Sequence, residues 1–356
     1  MKVCILGSGL TSLTLAKTLI NQGIYVDIFL SKNNFKKDNN RTLGISKNNL
    51  EFFNKEVLNI TKLAWNIKKI EIFSENLNCE KILNFENNNE NLFSIFRNDD
   101  LVNLLLKKLK KEKLCKFKKK MEKIYFMEKN YNLIFNCDNF NPITKKFFFK
   151  QIKKNYNSFA YTSIIKHLKI KNNKAIQIFT KKGPLAFLPL SETETSIVFS
   201  VKGIEKINFN DFIKRYNINY KIQKINFPSR FKLSSSNLRS YYKNNILAFG
   251  EVLHKVHPLA GQGFNMILRD IKEIMNLIKL KKTNGLMIDS SICIDFEKKS
   301  KNKNYLFSNG IDLIYEFFNL ENKINNNILS KSLKFFGKNQ NLNKTFIKFA
   351  DNGLFF

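Results

Sequence analysis

Val3-Cys4-Ile5-Leu6-Gly7-Ser8-Gly9-Leu10-Thr11-Ser12 opens the chain and decides its fold. Residues 3–6 form a short, fully apolar run, the pattern of a parallel strand buried on both faces. Leu10, Leu13, Ala16 and Ile20 then recur at helical spacing, and Gly23 ends the helix. Residues 25–30 read as a second strand, so the chain begins with a βαβ unit. Between strand and helix lies GxGxxG with Ser12 at the third glycine. Gly7 permits the tight turn and Gly9 lets a pyrophosphate reach the backbone. The helix start aims free N–H groups and its positive dipole end at the phosphates, and Ser12 is small enough for close packing. A lone GxGxxG is weak evidence, but here it has the strand before and helix after that the motif requires. One partner departs from the pattern. The acidic residue that should end the second strand and hold a ribose falls at Leu30 or Ser31. Asp27 lies inside the strand, which leaves Ser31, Lys32 or Asn33 for that work.

Further along, residues 97–120 read as helical, with Leu101, Leu104, Leu105 and Leu109 on one face and the lysine run 107–120 as a solvated face. Residues 133–137 form another apolar strand ending at Asp138. From 156 to 204 the pattern changes to strands at 159–170, 174–180, 185–190 and 195–201, separated by turns such as Asn172-Asn173 and Gly183-Pro184. This predicts an antiparallel sheet and a second domain. A buried strand returns at 246–249, and Phe264, Ile267, Leu268, Ile271, Ile274, Met275 and Ile278 mark a long helix. Beyond about 295 the chain reads as helical and polar, with paired phenylalanines at 317–318, 335–336 and 355–356.

The second informative stretch is Gly250-Glu251-Val252-Leu253-His254-Lys255-Val256-His257-Pro258-Leu259-Ala260-Gly261-Gln262-Gly263-Phe264-Asn265. A strand ends at a glycine with a carboxylate at its tip, and a glycine-rich turn opens onto the long helix. Glu251 suits sugar hydroxyls, and the turn offers backbone N–H groups to developing negative charge. His254 and His257 lack an evident third ligand, which disfavours a metal.

This stretch resembles the GD…HPxAGQGxN signature of class A flavoprotein aromatic monooxygenases of the para-hydroxybenzoate hydroxylase type. HPLAGQGFN followed by Leu268-Arg269-Asp270 is similar to the ubiquinone-biosynthesis hydroxylase family. Other segments agree in order: Arg41-Thr42-Leu43-Gly44-Ile45-Ser46, the pair Gln177-Ile178-Phe179-Thr180 and Gly183-Pro184-Leu185-Ala186-Phe187-Leu188-Pro189-Leu190, and Asn309-Gly310. The resemblance implies an α/β fold: a Rossmann-type FAD-binding domain (1–70, 97–150 and 235–295), an inserted antiparallel β-sheet substrate domain (71–96 and 151–234) and a C-terminal helical region (296–356). It implies that Gly7, Gly9 and Ser12 cradle the FAD pyrophosphate and that Arg41 approaches the adenosine and phosphate end. Asp138 stands for the aspartate of a DG motif, with Asn139 in place of glycine and able to take positive φ. Gly250 and Glu251 stand for the GD motif on the ribityl chain. Pro258 flanks the reactive carbon of the flavin ring, and Gly261, Gln262, Gly263, Phe264 and Asn265 bind the pyrimidine edge. His254 is a candidate acid or base, with a structural role as its alternative.

The chemistry implied is hydroxylation of a polyprenylated phenol with FAD, NAD(P)H as transient reductant and O2, through a C4a-hydroperoxide in a dry cavity. The departures at Ser12, Leu30, Asn139, Ile178 and Glu251 motivate an alternative, a non-catalytic flavoprotein subunit of a quinone-biosynthesis complex. A halogenase is disfavoured because its WxWxIP motif needs more than the single Trp65.

Composition agrees. With 43% hydrophobic and 25% charged residues the 356-residue chain reads as globular, enough for about two domains. Its 5 cysteines include no CxxC pair, which fits a reducing compartment. No run reaches the roughly 18 apolar residues of a membrane span, and the opening apolar run is too short for a signal peptide. The expected location is therefore cytoplasmic, with contact at the inner membrane. A net charge of +32 suits anionic lipid better than nucleic acid, because no recognition module accompanies it. Basic faces and the C-terminal phenylalanines are the expected membrane contacts, with core packing as the alternative.

Overall fold

In the computed structural model the described residues are 1–30, 40–86, 90–119, 121, 123–203, 208–258, 261–324 and 327–336. The opening run forms strand Lys2–Leu6, near the middle of a six-stranded sheet. Tyr25–Phe29 and then Cys115–Lys118 lie on one side of it. Leu133–Asn136, Ile246–Ala248 and Tyr242–Lys243 lie on the other. All neighbours are parallel except the last hairpin pair. The crossover helix Leu10–Asn21 is buried over residues 12–20, and its buried Thr14 and Thr18 hydroxyls are satisfied by the carbonyls of Leu10 and Thr14, one turn back. Leu6 lies opposite both Phe29 and Asn136, so three strand tips end level. The Gly7 N–H donates to the Phe29 carbonyl, and the Cys137 N–H to the Leu6 carbonyl. Ligands of open α/β sheets bind outside such carboxyl ends.

The alternating patterns in the middle of the chain form a nine-stranded, mostly antiparallel sheet. Its longest strand, Gln151–His167, pairs with Glu194–Lys202 on one side and Ser229–Leu238 on the other. Helix Phe209–Tyr216 seals one face, burying Phe209, Phe212, Ile213 and Tyr216. Strands Lys69–Ser74 and Glu80–Glu86 extend this sheet through a parallel pairing with Lys174–Thr180. A small sheet of Thr42–Ser46, Phe93–Arg97 and Trp65–Ile67 is built from strands interleaved in sequence with those of the two large sheets. It is joined to the nine-stranded sheet by a Thr42–Ser196 hydroxyl contact of 2.8 Å and an Arg97–Glu194 ion pair of 2.5 Å. Helix Ser291–Ile324 and helix Ile328–Phe336 close the far edge. Buried Glu321 accepts from the Ser330 backbone N–H and hydroxyl, and the Ser330 hydroxyl meets that of Ser74 at 2.9 Å.

Some local expectations are corrected. The 97–120 segment is not one helix. Helix Asn98–Leu109 ends, and the chain returns as edge strand Cys115–Lys118. The lysines hid this switch because they are exposed in either conformation. The first strand of the antiparallel region starts at Gln151, before its apolar half, because its polar residues pair with Ser234–Leu238 partners. Asn139 is not among the residues with positive φ. The Asp138 carboxylate instead accepts from the Phe140 N–H at 2.9 Å, and Asn141 caps helix Pro142–Phe147. Phe318 is core, stacked on Phe179 at 3.4 Å. Phe355-Phe356 and Ser31 to Asn33 lie outside the described residues, as do Leu259 and Ala260. No helix among the described residues is long and apolar enough to cross a membrane.

Candidate functional site

At the level strand tips, Gly7 has φ +115°, and a Cβ there would stand 3.1 Å from the Ser12 hydroxyl and 3.4 Å from the Cys137 backbone. Only glycine fits this turn without strain. Gly9 begins helix Leu10–Asn21 in extended conformation, with no side-chain cap and no acidic residue in the first turn. A Cβ on Gly9 would meet nothing within 4 Å. The helix therefore presents N–H groups to open space, as an anion site requires. Ser12 is buried and hydrogen-bonded to the Cys137 thiol; burial first, and nearby Asp138, push that thiol up to about 12.

The distant motif converges on the same place. Gly250 has φ +65°, and a Cβ there would lie 2.7 Å from Thr11 Cγ2. Glu251, half exposed beyond it, pairs with Arg41 at 3.3 Å. Arg41 leads into strand Thr42–Ser46, which is clamped by Asn265. The Asn265 Oδ1 accepts from the Ser46 N–H at 2.9 Å and from Asn49 Nδ2 at 3.1 Å. Its Nδ2 donates to the carbonyls of Gly44 at 3.0 Å and Gly261 at 3.4 Å. Helix Gln262–Thr283 opens at Gly261, φ +63°, again with no side-chain cap and no acidic residue in its first turn. The Pro258 carbonyl accepts from the Gly261 N–H at 3.3 Å, closing the turn. Gly263 and Phe264 follow half-buried, and the buried Gln262 Oε1 has no hydrogen-bond partner among the described residues.

These observations fit a flavin dinucleotide. An uncapped helix start with open space suits a pyrophosphate, and an orphaned amide oxygen at a second uncapped start suits a polar ring edge. Asp138 lies one residue past Cys137 beside Gly7, its backbone carbonyl accepting from the Thr144 hydroxyl at 2.7 Å. Asp27 does not face the site. It is buried among Tyr131, Lys2 and Lys118 at 2.6, 3.1 and 3.2 Å. Burial alone would raise its carboxyl, but those partners outweigh it and hold it below the usual range.

His254 is buried, with its Nε2 2.5 Å from Asp270 Oδ2, and Asp270 Oδ1 accepts from Asn304 at 2.9 Å. His257 is fully buried between Tyr156 and Tyr315, ring centroids 4.9 and 4.3 Å away. Burial, and then the charge of Lys154, lower it to about 3. Among the described residues no cluster of His, Cys, Asp and Glu could hold a metal ion. Sequence reasoning missed Thr11, Asn49 and the Asp270–Asn304 pair. Asp270 had a signal, since it lies one turn past buried Met266 on a helix face that is otherwise apolar.

No family model matches the chain. Among curated proteins it is similar to the mitochondrial ubiquinone biosynthesis monooxygenase COQ6 of Danio rerio, 24% identical over 213 residues, covering 47% of this chain and 44% of the relative. It is also similar to 3-demethoxyubiquinol 3-hydroxylase of Escherichia coli, 26% identical over 159 residues, with 40% and 39% covered. The match thus spans less than half the length of these curated relatives. Among solved structures, p-nitrophenol 4-monooxygenase PnpA from Pseudomonas putida superposes with TM-score 0.77 at 9% identity, over 99% of this chain and 98% of that one. PqsL of Pseudomonas aeruginosa, a probable FAD-dependent monooxygenase, gives 0.70 at 12%, over 94% and 99%. Klebsiella pneumoniae HpxO, solved with FAD and uric acid, gives 0.68 at 11%, over 99% and 96%. The chain has the fold of these monooxygenases, and the resemblance carried by its motifs agrees with its curated relatives.

Proposed function

We propose that the chain is an FAD-dependent monooxygenase of the ubiquinone-biosynthesis hydroxylase family, which hydroxylates the aromatic ring of a polyprenylated phenol with NAD(P)H and O2. The observation that carries this reading is convergence. Gly250 packs on Thr11, Glu251 pairs with Arg41, and Asn265 clamps strand Thr42–Ser46. Segments some 210 residues apart thereby build one continuous edge. The curated relatives are named monooxygenases and hydroxylases, which favours catalysis over the subunit reading.

FAD, when bound, supplies the electron transfer and oxygen activation. The chain's own share is positional. Gly7, Gly9 and Ser12 let the pyrophosphate approach helix Leu10–Asn21, with Asp138 bracing the neighbouring turn. Glu251 would accept from ribityl hydroxyls, and Arg41 holds Glu251 in place at 3.3 Å, where it would lie toward the adenosine and phosphate end. Helix Gln262–Thr283 would turn its positive end toward the pyrimidine edge, where Gln262 Oε1 would accept from a ring N–H and Gly263 and Phe264 would line the approach. Pro258 flanks the ring and its carbonyl holds the Gly261 turn. His254, locked on Asp270, positions this loop rather than moving a proton. The nine-stranded sheet walls the substrate side and excludes water. The division into an FAD-binding domain (1–70, 97–150, 235–295), a substrate domain (71–96, 151–234) and a C-terminal region (296–356) follows from this reading. So does peripheral contact with an inner membrane or a quinone-biosynthesis complex, since the substrate is lipid-borne.

The test is direct. The purified chain should be yellow, with one flavin per chain, and NAD(P)H oxidation should accelerate when a short-tailed phenol is added, yielding the hydroxylated ring. A flavin-loaded protein with no substrate-stimulated oxidation returns the subunit reading. A colourless protein that refuses added FAD ends both. Complementation of strains that each lack one ring hydroxylase assigns the ring position.

A further inference from the structure

We propose that the surface of residues 140–153 is the face on which the protein docks to an anionic lipid bilayer. This deepens the function proposed above by naming how a membrane-held substrate is met, and it depends on that reading for its purpose only. From 139 to 191 the sequence contains no Asp or Glu. At the start of that stretch Phe140, Phe149 and Ile152 are 73%, 61% and 45% exposed. Between and beside them Lys145, Lys146, Lys150 and Lys153 are exposed, and none has a carboxylate partner among the described residues. The Lys150 Nζ lies 6.0 Å from the Phe149 ring centroid, and the Lys146 Nζ 5.2 Å from that of Phe147. Such stems rest on apolar surface while the heads reach outward, the arrangement that meets headgroups with cations and acyl chains with rings. Asn141 Nδ2 donates to Met121 Sδ at 3.5 Å, just ahead of helix Ile124–Asn130, on which Tyr125 and Phe126 are exposed.

Charge complementarity selects the occupant. The +32 charge attracts any polyanion at long range, and among polyanions a bilayer is the one whose acyl interior takes up inserted apolar side chains. Phe227 and Phe231 are also exposed beside Lys224, Arg230 and Lys232, but there the Arg230 guanidinium is drawn onto the Phe159 ring, 3.8 Å from its centroid. Lys154 is taken by Glu316 at 3.1 Å. Helix Ser291–Ile324 exposes Leu313, Leu320 and Ile324, but Asp312 and Glu316 flank Leu313, which opposes an anionic surface. Phe318, one of the C-terminal phenylalanines expected to hold the membrane, is buried. The patch also lies near the chemistry. Ile152 marks the edge of the basic patch, since it borders a cavity of about 290 Å³ that Asp312, Leu313 and Glu316 also line; Asp312 bonds Tyr156, whose ring meets His257 beside Pro258.

The chain is floated with vesicles of phosphatidylcholine alone, or with about one-third phosphatidylglycerol. Binding should require the anionic lipid. F140S/F149S/I152S and K145E/K146E/K150E/K153E should each weaken it about tenfold or more. K107E/K108E/K110E/K111E, which reverses as many exposed lysines at the end of helix Asn98–Leu109, should weaken it about threefold at most. Equal losses in the two lysine variants overturn the proposal in favour of net charge. Unchanged binding in the phenylalanine variant overturns it too, as does single-stranded RNA bound with the same dependence on those phenylalanines. Flavin content and oxidation of a tail-less phenol, read on each variant, should stay at the parent level. If the parent holds no flavin yet shows the stated vesicle behaviour, the docking face stands and the enzymatic reading falls.

Discussion

Helices begin in two ways in this molecule. At Asn141 and Asn208 a side-chain oxygen accepts from a backbone N–H of the first turn, of Ile143 and Asp211 respectively. At Gly9 and Gly261 there is no such cap and no acidic residue in the first turn, although these glycines start helices of 12 and 22 residues. A cap contributes about 1 kcal/mol, so leaving two central helices uncapped forgoes stability where a small change of residue would recover it. Helices Lys47–Phe52 and Ile124–Asn130 also begin without a side-chain cap or a first-turn acid, so what sets Gly9 and Gly261 apart is the glycine itself, which leaves the start of a long helix open to close approach.

Gly9→Asp should break the comparison most sharply. The backbone there is extended and a Cβ meets nothing, so aspartate fits and caps the helix. Stability should rise by about 0.5 kcal/mol. Flavin affinity should fall on the order of a thousandfold, since like charges about 4 Å apart near a surface repel by about 4 kcal/mol. Thermal melts and fluorescence titration with FAD check both directions. Asn265→Ala comes next. It orphans the Ser46 N–H and the Gly44 carbonyl, so it should cost about 2–3 kcal/mol and release flavin during gel filtration.

His257, in the interior just before the second open start, sets a pH limit. Its folded pKa is about 3, so the unfolded chain binds a proton that the folded chain refuses as pH falls below about 6.5. This contribution to stability is fully present above about 6.5 and should be lost by about 1.4 kcal/mol per pH unit on acidification towards 3. Urea melts between pH 6.5 and 5 read it, and His257→Gln should flatten that limb. Asn141→Ala is the smallest and sharpens the other side. It should cost about 1 kcal/mol and leave flavin content unchanged, because that start serves only the fold.

Much of this was legible from periodicity. A run such as 3–6, closed by glycines at 7 and 9 and followed by helical spacing, reads as a buried strand and a tight turn, and the structure has both. The alternating stretches between 159 and 201 became strands for the same reason. The lysine run at 107–120 misled because lysine tolerates exposure in helix, turn and strand alike, so its pattern carries no period. Asn139 misled because the turn is held by the Asp138 side chain instead of by positive φ.

By itself the sequence determined the opening βαβ unit, the alternating strands between 174 and 201 and the long helix after Gly261, because that information lies in the spacing of apolar side chains and in the few positions where only glycine fits. Tertiary structure alone decided what those segments meet: Gly250 on Thr11, Arg41 on Glu251, Asp270 on His254, and Asp27 turned away from the site it resembles. Such pairings join residues far apart in the chain, and their energies depend on distance and burial, which no local pattern encodes.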